Sequence, residues 1–387
     1  MRCHPRAVRS CVTVQSVLCA VALTLSASAP AQQAPRDPIK IGAVLSITGP
    51  AAGLGVPTRN GMLLAEKAVN AAGGVHGRQI KIILEDDTSN PDNARTKTTA
   101  LVHNEKVVAM LGPGQVAQVV ASGAITDPLK IPQIVPAGLS VPLERDRRCV
   151  FHLLPAQELN ARAMMEYAAN GLKVKRLGVL HDAGYGNVVM NALKAIQSSY
   201  PGIEFAAIEK FELGATDVTT QAAKLRAANL QAVMVVATSA TPFRAVKQVR
   251  LDLPVIAAIG SSSYEYVKAM GDAADNIVIP EFLVGEDPLP TQKAFVDMYR
   301  KEFNVPPKNF EAAGWDMVQF MAAALRTAAA DAKSADVCEA LRRPHQGVLS
   351  AYDFREPDLT GMKLQSFIYS KLVNGQYTRL PFRASAQ

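Results

Sequence analysis

Aromatic residues make up only 6% of the 387-residue chain, and its basic residues are interspersed with acids, as in Glu144-Arg145-Asp146-Arg147-Arg148. Nucleic-acid binding wants a basic face interleaved with stacking rings, so no nucleic-acid partner is expected. Cysteine is equally scarce. Cys3, Cys11 and Cys19 fall within the first thirty residues, which leaves Cys149 and Cys338, enough for one disulfide without fixing whether it forms. No CxxC pair and no Cys/His cluster at metal-ligand spacing occurs, so neither a structural zinc nor any other cofactor is expected. Gly53-Leu54-Gly55 and Gly112-Pro113-Gly114 do not fit a G-x-G-x-x-G fingerprint between strand and helix, which argues against nucleotide binding. No nucleophile with a partnering base emerges. His181 and Asp182 are neighbours on an extended run and point to opposite faces, so they read as a strand-end residue and a turn former.

Long apolar runs are missing as well. The one near the N-terminus, over 11–25, is shorter than the roughly 20 residues a membrane span needs, and Thr13, Gln15 and Ser16 interrupt it. It follows Arg2, Arg6 and Arg9 and precedes the small-residue stretch 26–31, the order of a secretory signal peptide. Cleavage is expected after Ala31, with Gln32 as the mature terminus and the mature chain outside the cytoplasm.

What is present is a repeated alternation. Short apolar strands are expected over 39–45, 80–84, 107–111 and 131–135, with helices over 57–72, from an N-cap at Asn90, and over 116–129. Pro57 is assigned to the first turn of its helix. The pattern resumes after Pro155, with strands over 177–181, 203–207, 232–237 and 254–259, then the helical segments 290–303 and 309–330 and a hairpin turning at Asn374-Gly375. Strands separated by helices form parallel sheets covered on both faces. The expected fold class is α/β, with two doubly wound parallel-sheet lobes joined by a multi-strand hinge crossing near 152–155, 282–286 and 351–354. Residues 32–153 and 285–351 are assigned to the N-terminal lobe, and 154–284 and 352–387 to the C-terminal lobe. Trp315, at helical spacing from Val318 and Ala322, reads as core.

Several stretches carry a resemblance: Ile39-Lys40-Ile41-Gly42, Thr48 to Gly55, Asn70-Ala71-Ala72-Gly73-Gly74, Glu85-Asp86-Asp87, Leu111-Gly112-Pro113, Val135-Pro136-Ala137, Tyr185-Gly186 and Gly271-Asp272-Ala273-Ala274. In order and spacing the chain, over 39–374, resembles the branched-chain amino acid (Leu/Ile/Val) type of periplasmic substrate-binding protein that serves ABC importers. The resemblance implies a type I periplasmic binding fold, a monomer that closes around a small-molecule ligand, and an ABC transporter permease in the inner membrane as partner. A ligand-sensing receptor domain and a periplasmic hydrolase are the alternatives.

The same resemblance implies the ligand contacts: Leu54, Gly114, Gln115, Val116, Ala137, Gly138, Leu139 and Ser140 from the first lobe, and Tyr185, Thr238, Ser239 and Ser262 from the second. Gly114 to Val116 fall where a strand feeds a helix N-terminus, whose free N–H groups favour an anion. Three departures matter. Gly114-Gln115 stand where amino-acid binders show a Ser pair, Gly138-Leu139 where they show Ala-Thr, and Ser261 to Ser263 where an acid would hold the ligand's ammonium. The expectation is therefore a small carboxylate, an aromatic or other organic acid, without a free α-amino group.

Overall fold

The computed structural model describes residues 37–138, 146–356 and 360–385, so the leader reading over 1–31 lies outside the described residues. Two sheets organise the chain. In the first, β1 (Ile39–Leu45) is buried along its length except at Lys40, as a central parallel strand must be. It lies between β2 (Ile80–Asp86) and β3 (Ala109–Leu111), followed by β4 (Gln133–Gly138) and β5 (Val150–Leu154), giving the order β2-β1-β3-β4-β5 with every pairing parallel. The strand order reverses between β1 and β3, which opens a crevice at their carboxyl ends.

The second sheet repeats the plan. Around β6 (Arg176–Asp182) it runs through β7 (Glu204–Phe211), β8 (Ala232–Val236), β9 (Val255–Ala257) and β10 (Ile277–Glu281), in the order β7-β6-β8-β9-β10, with its own switch point between β6 and β8. An antiparallel hairpin, β13 (Ile368–Val373) and β14 (Gln376–Arg379), is added beyond β10. Its turn, Asn374-Gly375, has φ of 50° and 74°, the left-handed pair that the Asn-Gly signature predicts. A short ribbon of β11 (Pro344–Gln346) and β12 (Ala351–Asp353) stands apart from both sheets.

Helices cover the sheets. α1 (Ala52–Ala71), α2 (Pro91–His103) and α3 (Val116–Thr126) follow β1, β2 and β3. α4 (Gln157–Glu166), α5 (Tyr185–Ile196), α6 (Thr219–Arg226), α7 (Thr241–Gln248) and α8 (Tyr264–Met270) accompany the second sheet. α9 (Lys293–Phe303), α10 (Asn309–Thr327) and α11 (Ser334–Leu341) then return, α10 packing along α1 and against β4. Trp315 is part of that packing, 5.4 Å from the Phe295 ring.

α1 begins at Ala52, earlier than expected, and carries Pro57 in its interior instead of its first turn. Two glycines in the first turn read as loop on propensity. Here Gly55 is pressed so close to the Ser46 backbone that a Cβ would lie 2.0 Å from its carbonyl oxygen.

Two covalent or charged ties fix the frame. Cys149, immediately before β5, is disulfide-bonded to Cys338 of α11 across a sequence separation of 189. At the end of β10, Glu281 is paired with Lys308, which caps α10.

Candidate functional site

The carboxyl ends of both sheets face one cavity of about 500 Å³. Its first wall comes from the loops after β1 to β4, and its second from those after β6 to β9, together with α4. Leu54, Gly114, Gln115, Val116, Ala137 and Gly138 line the first wall, and Tyr185 and Thr238 the second. Leu139 and Ser140 lie outside the described residues.

The N-terminus of α3 forms the polar floor of the first wall. Its N-cap, Gln115, is extended, offers no side-chain cap, and accepts the first intrahelical bond from Val119 N–H at 2.8 Å. The N–H groups of Val116, Ala117 and Gln118 therefore have no acceptor within the helix, and no acidic residue occupies its first turn. A sequence without Ser, Thr or Asp at the cap leaves this positive end without a capping side chain.

Asp182 organises the second wall. One carboxylate oxygen accepts from Gly184 N–H at 2.9 Å and Gly186 N–H at 2.7 Å, and the other accepts from Thr238 N–H at 3.1 Å. Burial raises its pKa against the lowering by these three donors. Asp182 thus joins the loops after β6 and β8 but does not line the cavity. Tyr185, at the start of α5, accepts from Asn160 Nδ2 at 3.0 Å. Burial, before any other cause, pushes its pKa above the ordinary phenol range, so it remains a protonated hydroxyl.

Two expected contacts are corrected. Ser262 is fully buried and faces away from the cavity: its hydroxyl donates to Glu281 at 2.6 Å and accepts from Asn309 Nδ2 at 3.1 Å. Its neighbours are equally committed, Ser261 to the Ala237 carbonyl and Ser263 to capping α8. Only Gly260 and Ile259 of that turn reach the cavity. Ser239 is half-buried next to Thr238 and does not line the cavity, because the chain turns into α7 there.

Other lining residues escaped the sequence reading: Gln118 of α3, Gln157 and Asn160 of α4, Leu213 after β7, and Phe310 of α10. Gln118 had one available signal, its position three residues after Gln115 on the same helix face. Among the described residues, no Asp, Glu, Lys, Arg or His lines the cavity. Nor do the described residues contain a group of three or more His, Cys, Asp or Glu placed to hold a metal ion.

A family model described as periplasmic binding protein matches residues 38–361. The leucine-, isoleucine-, valine-, threonine- and alanine-binding protein of Pseudomonas aeruginosa is 26% identical over 313 residues, which cover 79% of this chain and 82% of the relative. An amino acid binding protein of the same organism is 25% identical, covering 89% and 92% respectively. Among solved structures, a branched-chain amino acid transporter substrate binding protein from Streptococcus pneumoniae, in complex with isoleucine, superposes with a TM-score of 0.79 at 25% identity, over 89% of this chain and 100% of that one. A solute binding protein from Rhodopseudomonas palustris, in complex with benzoate, shares the fold with a TM-score of 0.80 at 20% identity, over 90% and 98%. The chain belongs to the periplasmic binding protein family, a family of solute-binding proteins that work with ABC transporters.

Proposed function

We propose that this protein captures a small carboxylate-bearing metabolite, an aromatic or other organic acid without a free α-amino group, between its two lobes. It then delivers that ligand to an ABC permease in the inner membrane. The observation that carries the reading is that the lining is neutral among the described residues. Free N–H groups at the start of α3 complement a carboxylate, while no described acidic side chain is present to pair with an ammonium. Stranding an ammonium in a closed cleft costs several kcal/mol.

Leu54, Val116, Ala137 and Tyr185 supply the apolar and aromatic surface such an acid needs. The amino acid ligands in the names of the Pseudomonas relatives point the other way, and the neutral lining among the described residues is what favours the deaminated acid here. In this reading the leader, 1–31, directs the chain to the periplasm, where it acts as a monomer. The lobes are 32–153 with 285–351, and 154–284 with 352–387. Ligand contacts made by both lobes exist only when they are closed, so binding shifts the population toward closure.

A thermal-shift screen of the mature protein tests the reading. Benzoates, phenylpropanoids and keto acids are run beside leucine, valine and phenylalanine. A ligand at about 100 times its Kd adds ~2.7 kcal/mol of stability. Deaminated acids are expected to raise Tm. A rise with the amino acids alone returns the protein to amino acid uptake.

A further inference from the structure

Gln118 stands at the third position of α3, on the face that carries Gln115. It is only 4% exposed and lines the cavity. Its amide makes no hydrogen bond among the described residues, and neither amide atom is sealed from the cavity space. That differs from the other buried amides near the site, since Asn160 donates to Tyr185 and Gln157 accepts from Asn160 at 3.3 Å. A ligand that closes over this amide without pairing it strands a polar group at a cost of about 1–3 kcal/mol, so a ligand group that pairs with it gains a corresponding preference.

We infer that Gln118 determines specificity by reading a neutral oxygen carried beside the ligand's carboxylate, so that the cleft prefers 2-hydroxy and 2-oxo acids to plain acids. The inference rests on the carboxylate site proposed above. Its side chain springs from the same helical turn as the free N–H groups of residues 116–118, so it meets a substituent one or two bonds from the carboxylate. A primary amide offers two donors and an acceptor. It therefore pairs with a hydroxyl in either sense, or with a keto oxygen through its N–H. It brings no charge to balance an ammonium at the same position, which separates a 2-hydroxy acid from its 2-amino analogue of nearly the same shape. Thr238, whose backbone N–H is held by Asp182, faces the cavity from the opposite wall and closes on the same ligand.

Calorimetric titration of the mature protein with 3-phenylpropanoate, its 2-hydroxy and 2-oxo derivatives, and phenylalanine tests this, with Gln118→Leu and Gln118→Glu alongside. The wild type is expected to bind the 2-hydroxy or 2-oxo acid about tenfold or more tightly than the plain acid. Gln118→Leu is expected to bring that ratio close to one, whatever its effect on the plain acid's own affinity. Gln118→Glu is expected to repel the oxygenated acids and to gain phenylalanine. If the leucine variant does not fold, the wild-type ratio and the glutamate variant decide. Equal binding of plain and oxygenated acids, or a ratio unchanged in Gln118→Leu, overturns the role of Gln118 and leaves the carboxylate site standing. Binding of phenylalanine alone by the wild type, or of no acid, overturns both.

Discussion

Gly53, in the first turn of α1, lies against the ring of Tyr266 on α8, so close that a Cβ on Gly53 would be 2.5 Å from two ring carbons. α1 covers the first sheet and α8 the second, and Leu54, the next residue, lines the cavity. The contact therefore belongs to the meeting of the two lobes beside the cavity. Gly53→Ala is expected to hold the lobes apart and to weaken ligand binding about tenfold or more, roughly 1.4 kcal/mol. Tyr266→Ala in the same chain should restore part of the loss. Calorimetry gives the affinity, and small-angle scattering checks whether the radius of gyration at saturating ligand stays larger than in the wild type.

The Cys149–Cys338 bond closes a loop of 189 residues between β5 and α11. Cross-links of long loops restrict the unfolded chain, and removing a native one typically costs about 2–5 kcal/mol. Replacing both cysteines with serine should lower the urea midpoint accordingly, with ligand affinity little changed because neither residue lines the cavity.

Lys308 and Glu281 are both 0% exposed, 2.8 Å apart, with the ammonium 3.4 Å from the centre of the Tyr377 ring. Glu281 also accepts from Asn309 Nδ2 at 2.8 Å, and Asn309 Oδ1 accepts from Phe282 N–H and Leu283 N–H where the chain leaves β10. Lys308→Met strands the carboxylate and is expected to cost about 3–5 kcal/mol. Lys308→Met with Glu281→Leu should cost less than the sum of the single variants, as a double-mutant cycle by urea unfolding will measure.

Much of the fold was legible because the strands of a parallel sheet are buried on both faces. Ala232–Val236 is an unbroken apolar run for that reason, and Asn374-Gly375 signals its turn by itself. The first turn of α1 was not, since its glycines serve contacts with Ser46 and Tyr266 that no local pattern contains. In the site, the backbone-rich stretch 114–116 could be located from a strand feeding a helix. The amides could not: Gln118, Gln157 and Asn160 are ordinary helix residues until two sheets turn their faces onto one cavity. Ser262 failed for the converse reason. A serine in a predicted cleft loop looks like a ligand contact, and only tertiary packing reveals that Glu281 and Asn309 claim it.

His152 on β5 is wholly buried, Nδ1 3.2 Å from the Ala137 carbonyl and Nε2 without a partner among the described residues. Burial, with Arg147 adding to it, lowers its pKa from 6.5 to about 4, against the Ala137 bond. Between those values the unfolded chain binds the proton and the folded one does not, so stability falls as pH drops from 6.5 toward 4. His152→Gln, which cannot titrate, should lose about 2 kcal/mol less than the wild type on going from neutral pH to about pH 5, measured by urea unfolding at both.

The most direct test of the central claim is a calorimetric comparison of one matched pair, phenylalanine and 3-phenylpropanoate, on the mature protein. They differ by the ammonium alone. The cavity lining, neutral among the described residues, predicts that the deaminated acid binds and the amino acid is excluded or at least about tenfold weaker. Tighter binding of phenylalanine would contradict the account, for the cleft would then hold a buried cation that no described side chain balances.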